Sequence, residues 1–132
     1  MSLQATLFSG GPILVIEDEP SVIAFLRAAL ERKGYSVVDA ASGAEGLERL
    51  SKGSYAGVIS DIRMPGAVNG AEVHAWIHKN RPELCARIIL ISGDTANSET
   101  QAFLAQSGTP CIEKPFRVQQ LMTVVEKTFG KP

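Results

Sequence analysis

The 132-residue chain has few cysteines, no excess of either charge and no long hydrophobic run. Its two cysteines, Cys85 and Cys111, form no C-x-x-C pair, which argues against a metal cluster or a redox motif. So few cysteines fit a reducing cytoplasm. The formal net charge of -1 gives no basic field for nucleic acid. No apolar stretch approaches the ~20 residues of a membrane span, so we expect no membrane contact by this domain.

The length and composition are those of one soluble globular domain. The chain is 45% hydrophobic and 20% charged, which is ordinary for such a domain. Residues 1–11 show no clean periodicity and end in Ser9-Gly10-Gly11, so we predict a linker or a tag there. Residues 12–130 are then the single folded unit.

Five short apolar runs alternate with stretches of helical period. The predicted strands cover residues 13–16, 35–40, 55–60, 86–91 and 109–112. The predicted helices run from Pro20 to Gly34, from a capping Ser42 to Gly53, from a capping Asn69 to Arg81, and over 96–106 and 118–129. The core-facing stripes are predicted to be Val22, Ile23, Phe25, Leu26, Ala29 and Leu30; Ala44, Leu47 and Leu50; Val73, Trp76 and Ile77; Ala102, Phe103 and Ala105; and Val118, Leu121, Val124, Val125 and Phe129. This alternation predicts an α/β fold with one parallel sheet covered by helices on both faces.

Polar side chains follow four of the predicted strands where each strand ends. Parallel strands bring their carboxyl ends to one edge, where ligands bind in open α/β sheets. We therefore expect one crevice to hold Glu17, Asp18, Asp61, Ser92 and Lys114. Clustered carboxylates repel one another unless a cation is present. Mg²⁺, which prefers hard oxygen ligands, suits such a site.

These motifs resemble the receiver domain of two-component response regulators, over residues 12–129. The resemblance is carried by Glu17-Asp18 after the first strand, Asp61 before Met64-Pro65-Gly66, Ser92 after the fourth strand, and Lys114-Pro115-Phe116 after the fifth. It implies a flavodoxin-like, doubly wound domain with five strands in the order 2-1-3-4-5 and five helices. It also implies a cis peptide bond between Lys114 and Pro115.

The resemblance implies that Asp61 accepts a phosphoryl group from a phosphohistidine. The donor would be a sensor histidine kinase or a histidine phosphotransfer domain. Ser92 would hydrogen-bond a phosphoryl oxygen, and Lys114 would pair with the phosphate. The implied Mg²⁺ ligands are Glu17, Asp18, Asp61 and the backbone carbonyl of Arg63. Phosphoryl transfer needs positioning and charge neutralisation, and these residue types supply both, while Gly93 leaves room for the donor.

Three positions depart from the commonest family pattern. Glu17 stands where Asp is usual, and Ser92 stands where Thr is more frequent. Cys111 lies three residues before Lys114, where a switch Tyr or Phe is common. Signalling by rotation of an aromatic side chain at that position therefore cannot operate in this chain.

For several residues near these motifs, the sequence allows two interpretations of their role. Arg63 and Asp94 either pair across the mouth of the site and shield the acyl phosphate, or are independent surface charges. His74 and His78 stand four apart on one helix but have no third ligand at matching spacing, so we expect a solvated pair. Trp76 is interpreted as a residue that packs in the core or in a groove. Glu19 is expected only to favour the start of its helix.

The function that follows is a phosphorylatable switch with slow autodephosphorylation rather than a turnover enzyme. One alternative is a Mg²⁺-dependent aspartyl phosphatase. Such enzymes usually carry an acid two residues after the nucleophile, where this chain has Arg63. Another is a binding module that works without phosphorylation. The motif style resembles receivers at the C-terminal end of hybrid sensor histidine kinases, and weak homodimerisation is left open.

Overall fold

A computed structural model describes residues 10–64, 66 and 68–132 of the chain. Five parallel strands form one sheet in the order β2-β1-β3-β4-β5. The strands are β1 (Ile13–Ile16), β2 (Val37–Ala40), β3 (Gly57–Asp61), β4 (Ile88–Ser92) and β5 (Cys111–Glu113). The helices of the described residues are α1 (Pro20–Arg32), α2 (Gly43–Lys52), α3 (Gly70–Asn80), α4 (Ser98–Ser107) and α5 (Val118–Phe129). The predicted doubly wound fold and strand order are confirmed.

Both faces of the sheet are buried because successive strand side chains point to opposite sides. In β1, Ile13 and Val15 belong to a first core cluster, and Leu14 and Ile16 belong to a second. The first cluster is closed by α1 and α5 through Leu26, Leu30, Leu121, Val125 and Phe129. The second is closed by α2 and α3 through Leu50, Val73 and Ile77. Near-continuous apolar strands are what two covered faces require.

The predicted helix starts at Ser42 and Asn69 are confirmed. The Ser42 hydroxyl accepts a hydrogen bond from the Glu45 amide at 3.1 Å. Asn69 and Glu72 form a reciprocal capping box, with bonds of 3.0 and 3.1 Å. Each cap satisfies amides that the first helical turn leaves unpaired. The second cap lies in the connection that follows Asp61, so it helps to fix that connection.

Some predicted boundaries and core residues are wrong. Strands β2, β3, β4 and β5 each begin two residues later than predicted, and α4 begins at Ser98. A 3-10 turn that was not predicted covers Pro82–Leu84. The stripe residues that prove exposed are Phe25, Ala44, Ala102, Ala105 and Val118. In α4, Phe103 packs inward as predicted, and the other inward residues are Thr100 and Leu104.

Part of the sequence prediction falls outside the described residues. The predicted linker, residues 1–11, lies there except for Gly10 and Gly11, and Pro65 of the Met64-Pro65-Gly66 turn lies there too. Across the part of the chain that is described, none of the helices has the length and apolar character needed to span a bilayer.

Candidate functional site

The carboxyl ends of four neighbouring strands meet at one edge of the sheet. Asp61 and Ser92 are the last residues of β3 and β4, and Glu17 directly follows β1. Lys114 directly follows β5, and its backbone amide donates to the Ser92 carbonyl at 2.8 Å. Because β1, β3, β4 and β5 are adjacent in the sheet, the side chains that end them are brought together.

The Lys114 ammonium is the centre of this site. Its Nζ lies 2.9 Å from Glu17 Oε1, 3.0 Å from Asp61 Oδ2 and 3.1 Å from Glu19 Oε1. Burial disfavours the ammonium charge, but the contacts with the carboxylates of Glu17, Asp61 and Glu19 outweigh that cost and raise the pKa of Lys114. The lysine therefore stays charged and draws three carboxylates from distant segments to one point.

Glu17 is fully buried beneath the other acids. Its Oε2 accepts the backbone amides of Asp18 at 3.0 Å and Glu19 at 3.2 Å. Its Oε1 lies near Lys114 but has no well-directed hydrogen bond from any described residue. Burial, together with the charge of Asp61, raises the pKa of Glu17 to about 7 in spite of Lys114. A buried carboxylate oxygen is thus left facing the site.

The acidic group at this edge differs in one member from the predicted set. Oxygens of Glu17, Glu19 and Asp61 lie within 4.8 Å of one another. Asp18 is half-buried beside Glu17, where its carboxyl helps to raise the Glu17 pKa. The expectation that Glu19 only charges the helix start is wrong, because its carboxylate contacts Lys114. The run Glu17-Asp18-Glu19 was the available signal.

The connection after β3 places Arg63 at the mouth of the site. The Arg63 amide donates to Asp61 Oδ1 at 3.4 Å. Its exposed side chain brings Nε to 3.8 Å from Asp94 Oδ2. The structure therefore supports the paired reading of Arg63 and Asp94, although a long, exposed ion pair of this kind contributes little stability.

Ser92 and Gly93 lie at the carboxyl end of β4. The buried Ser92 hydroxyl accepts the Asp94 amide at 3.0 Å. Gly93 is exposed, and a Cβ placed there would lie 3.9 Å from Lys114 carbons. Ser92 therefore ends β4, and Gly93 follows it beside Lys114.

Gly70 is a residue of the site that the sequence did not reveal. A Cβ at this position would lie 2.4 Å from the Asp61 carbonyl oxygen and 2.7 Å from Ile62 Cα. The Gly70 amide donates to the Ile62 carbonyl at 2.8 Å. The first residue of α3 thus packs directly on the end of β3, and only glycine permits that approach.

Three further features that the sequence singled out are Cys111, His74 and the Lys114–Pro115 peptide bond. Cys111 is half-buried against the second cluster, and burial, with the charges of Glu113 and Asp61, raises its thiol pKa to about 11. His74 is not a solvated residue: it is buried, and its Nε2 lies 2.9 Å from Thr109 Oγ1. The ring of His74 also lies 4.4 Å from that of the exposed His78, centroid to centroid. The peptide bond between Lys114 and Pro115 is cis, as predicted.

The donor set fits a hard divalent cation. Carboxylate oxygens of three acids converge, and Mg²⁺ binds such oxygens while keeping several waters. The buried Glu17 oxygen that lacks a well-directed hydrogen bond faces the same point. A cation there would compensate the excess negative charge.

Comparison with known proteins gives a consistent family. A model described as response regulator receiver domain matches residues 13–126. The uncharacterized transcriptional regulatory protein YkoG of Bacillus subtilis is 30% identical over 112 residues, covering 85% of this chain and 48% of that protein. The sensor kinase CckA of Brucella abortus is 32% identical over 131 residues, covering 97% of this chain and 14% of that protein. The chain thus spans about half or less of the length of these relatives.

A solved structure agrees in fold and sequence. The response regulator protein TrrA of Thermotoga maritima, in complex with Mg(2+)-BeF, has a TM-score of 0.77 and 33% identity. The match covers 89% of this chain and 98% of that one. Together with the strand order and the family match across 13–126, this likeness shows that the chain belongs to the response regulator receiver domain family of two-component signalling.

Proposed function

We propose that Asp61 is the phosphoacceptor of this receiver, loaded from a phosphohistidine in a Mg²⁺-dependent step. The proposal rests on one observation: at one edge of the sheet, the Lys114 ammonium lies within 3.0 Å of a carboxylate oxygen of Asp61 and of Glu17. In that step an Asp61 oxygen forms a bond to phosphorus. The nitrogen–phosphorus bond of the donor breaks, and the imidazole leaves with its electron pair and takes a proton from water.

Mg²⁺, when bound, would neutralise charge on the phosphoryl oxygens. Its proposed ligands are oxygens of Glu17, Asp18, Asp61 and the Arg63 carbonyl. Receiver domains as a family bind Mg²⁺ at an acidic pocket, and the acidic group described here is such a pocket. That TrrA was solved with Mg(2+)-BeF supports the same choice of metal.

The remaining roles belong to neighbouring side chains. Lys114 pairs with one phosphoryl oxygen, and the Ser92 hydroxyl donates a hydrogen bond to another. Gly93 leaves the approach open, and Arg63 with Asp94 partly shields the product from water. Cys111 provides no aromatic ring to rotate, so the output passes through other contacts. These roles rest on the placement of each group around Asp61.

The partner we propose is a phosphohistidine-bearing protein that docks beside Lys114. Phe25 and Val118, the exposed large hydrophobic residues of the described chain, are 38% and 46% exposed. Phe116 packs edge-on against Phe25, with ring centroids 5.6 Å apart. A shallow groove joins Phe25 and Phe116 to Lys114. An apolar surface continuous with the reacting residues suits a sensor histidine kinase or a histidine phosphotransfer domain.

We further propose that residues 12–130 form the receiver domain of a longer, cytoplasmic signalling protein. The motif style and the similarity to a sensor kinase favour a hybrid histidine kinase. The phosphatase reading is not favoured, because the family match is to receivers and Arg63 stands where such an enzyme needs an acid.

The test is phosphorylation by a small donor. The chain is incubated with phosphoramidate and Mg²⁺, and its intact mass is measured. We expect a gain of one phosphoryl group that is absent from Asp61→Asn and from a sample with EDTA. Equal labelling of Asp61→Asn would contradict the proposal, and rapid turnover of a phosphate ester would favour the hydrolase.

A further inference from the structure

The Lys114 ammonium is surrounded by three carboxylates in the unphosphorylated protein: it donates hydrogen bonds to Asp61 and Glu19 and forms an ion pair with Glu17. An ammonium group has three N–H donors, and three carboxylate oxygens lie 2.9, 3.0 and 3.1 Å from Nζ. A phosphoryl oxygen on Asp61 also needs one of these donors. Asp61 is itself converted to the acyl phosphate, so the contacts of Lys114 with which the phosphoryl oxygen competes are those to Glu17 and Glu19.

The three carboxylates differ in how easily they release Lys114. The side chains of Glu17 and Asp61 are 0% and 7% exposed, whereas that of Glu19 is 57% exposed. Leaving a buried carboxylate without its partner is costly, because water does not replace the lost contact. Glu19 can turn to water at little cost, so it is the partner that exchanges.

Glu19 is not needed for the helix that it precedes. It is the N-cap residue of α1, yet its side chain makes no capping bond to any described residue. The side-chain contact that the structure does show for Glu19 is the one to Lys114. Removing this carboxylate therefore tests the contact and leaves the fold intact.

We propose that Glu19 is a positioning residue that holds one N–H of Lys114 until a phosphoryl oxygen replaces it. The inference rests on the proposed role of Asp61 as phosphoacceptor. Only a hydrogen bond is exchanged, and no proton changes owner. Glu19 competes with the incoming phosphoryl group for Lys114, so it slows phosphorylation.

A kinetic comparison with a matched control tests this proposal. Glu19→Gln and Glu19→Ala are compared with Glu113→Gln, which removes a nearby charge whose carboxylate contacts Thr95 rather than Lys114. With phosphoramidate and saturating Mg²⁺, the rate at saturating donor should rise by roughly fivefold in Glu19→Ala, the size of one competing hydrogen bond. Glu19→Gln should be intermediate, because a neutral acceptor competes less well.

The control separates the contact from the general loss of charge. Glu113→Gln should change only the donor concentration that gives half the maximal rate, since that reflects attraction of the anionic donor. Equal rates for Glu19→Ala and Glu113→Gln at saturating donor would overturn the proposal. A tenfold loss of Mg²⁺ affinity in Glu19→Ala would also overturn it, by making Glu19 a metal ligand.

A second measurement needs neither metal nor phosphate. Exchange of the Lys114 ammonium protons with water, followed by ¹⁵N NMR, should be several times faster in Glu19→Ala and unchanged in Glu113→Gln. Unchanged exchange in both would contradict the contact itself. Absence of phosphorylation in the wild-type chain would instead remove the function of Asp61, and this inference with it.

Discussion

At the scale of single residues, the charges around Lys114 do not balance. Three carboxylates face one ammonium, and the most buried of them, Glu17, has its pKa raised to about 7 by burial first and by Asp61 second. Burial disfavours this surplus of negative charge, so the site favours binding of a proton or a cation. Such a surplus suits a cation-binding site, and it has a measurable cost.

The Glu17 carboxyl should make stability depend on pH. Its folded pKa of about 7 lies above its ordinary value of 4.5, so between these values the folded protein keeps a proton that the unfolded chain has released. Stability then falls as pH rises through this window. Relative to wild type, Glu17→Gln should gain on the order of 3 kcal/mol between pH 4.5 and 7.5. Urea unfolding in EDTA at several pH values measures the difference.

A carboxyl whose pKa is shifted in the opposite direction serves as the control. The hydrogen bond from Arg81 lowers the pKa of Glu83, so this carboxyl stabilises the fold as pH rises. As pH rises through the acid range, Glu83→Gln should therefore become less stable relative to wild type. A difference between Glu17→Gln and wild type that does not change with pH would show that the Glu17 pKa is not raised.

Sequence reasoning found the site residues that end strands. Asp61, Ser92 and Lys114 were accessible because an apolar run stops at or just before each of them. Glu19 was assigned only to its helix because its link to Lys114 spans 95 positions and depends on side-chain reach. His74 was misjudged because its burial comes from Thr109 and Phe103, which the helical period of α3 cannot show.

At the scale of elements, the position of Asp61 depends on how closely α3 approaches β3. Gly70 begins α3 and contacts the backbone of Asp61 and Ile62. The capping box of Asn69 and Glu72 fixes the same end of the helix. Asp61 is therefore held by backbone packing from the helix that follows it as well as by its own strand.

Gly70→Ala should displace the end of β3. The new Cβ would lie 2.4 Å from the Asp61 carbonyl oxygen, so strand or helix must shift. We expect a loss of about 1–3 kcal/mol in stability, the usual cost of overpacking. We also expect phosphorylation by phosphoramidate to slow roughly tenfold or more, because a misplaced nucleophile loses its alignment. Chemical unfolding and intact-mass kinetics measure the two effects.

Gly93→Ala is the matched control for stability. Its Cβ would make only ordinary 3.9 Å contacts with Lys114, so its free energy of unfolding should stay within about 0.5 kcal/mol of wild type. If Gly70→Ala were as stable as Gly93→Ala and were phosphorylated as fast as wild type, the close approach of α3 to Asp61 would not hold.

Strand starts were harder to predict than strand ends for a physical reason. Tyr35 and Ala56 are buried and apolar, so they extend the pattern of β2 and β3 backwards. Yet the Tyr35 amide bonds to the Leu30 carbonyl at the end of α1, and the Ala56 amide bonds to the Pro12 carbonyl. Periodicity reports burial, whereas strand bounds depend on where each backbone amide finds its acceptor.

At the scale of the whole molecule, stability and function are built in different places. Two apolar clusters cover the two faces of the sheet, while the acidic group occupies its carboxyl edge. The strand order puts β1 and β3 side by side, and this alone brings Glu17 and Asp61 together. The fold therefore supplies the free energy that offsets repulsion among the site carboxylates.

Asp61→Asn should separate the repulsion among the site carboxylates from the stability that the apolar clusters provide. Without metal, the variant should unfold at a higher temperature than wild type, because one of three mutually repelling charges is gone while the amide oxygen still accepts from Lys114. At Mg²⁺ concentrations ten times its Kd, wild type should gain about 1.4 kcal/mol, and the variant should gain less. Glu48→Gln, an exposed carboxylate beside Lys52, should behave like wild type in thermal unfolding. If Asp61→Asn were instead less stable without metal, Lys114 rather than repulsion would dominate the energetics of this edge.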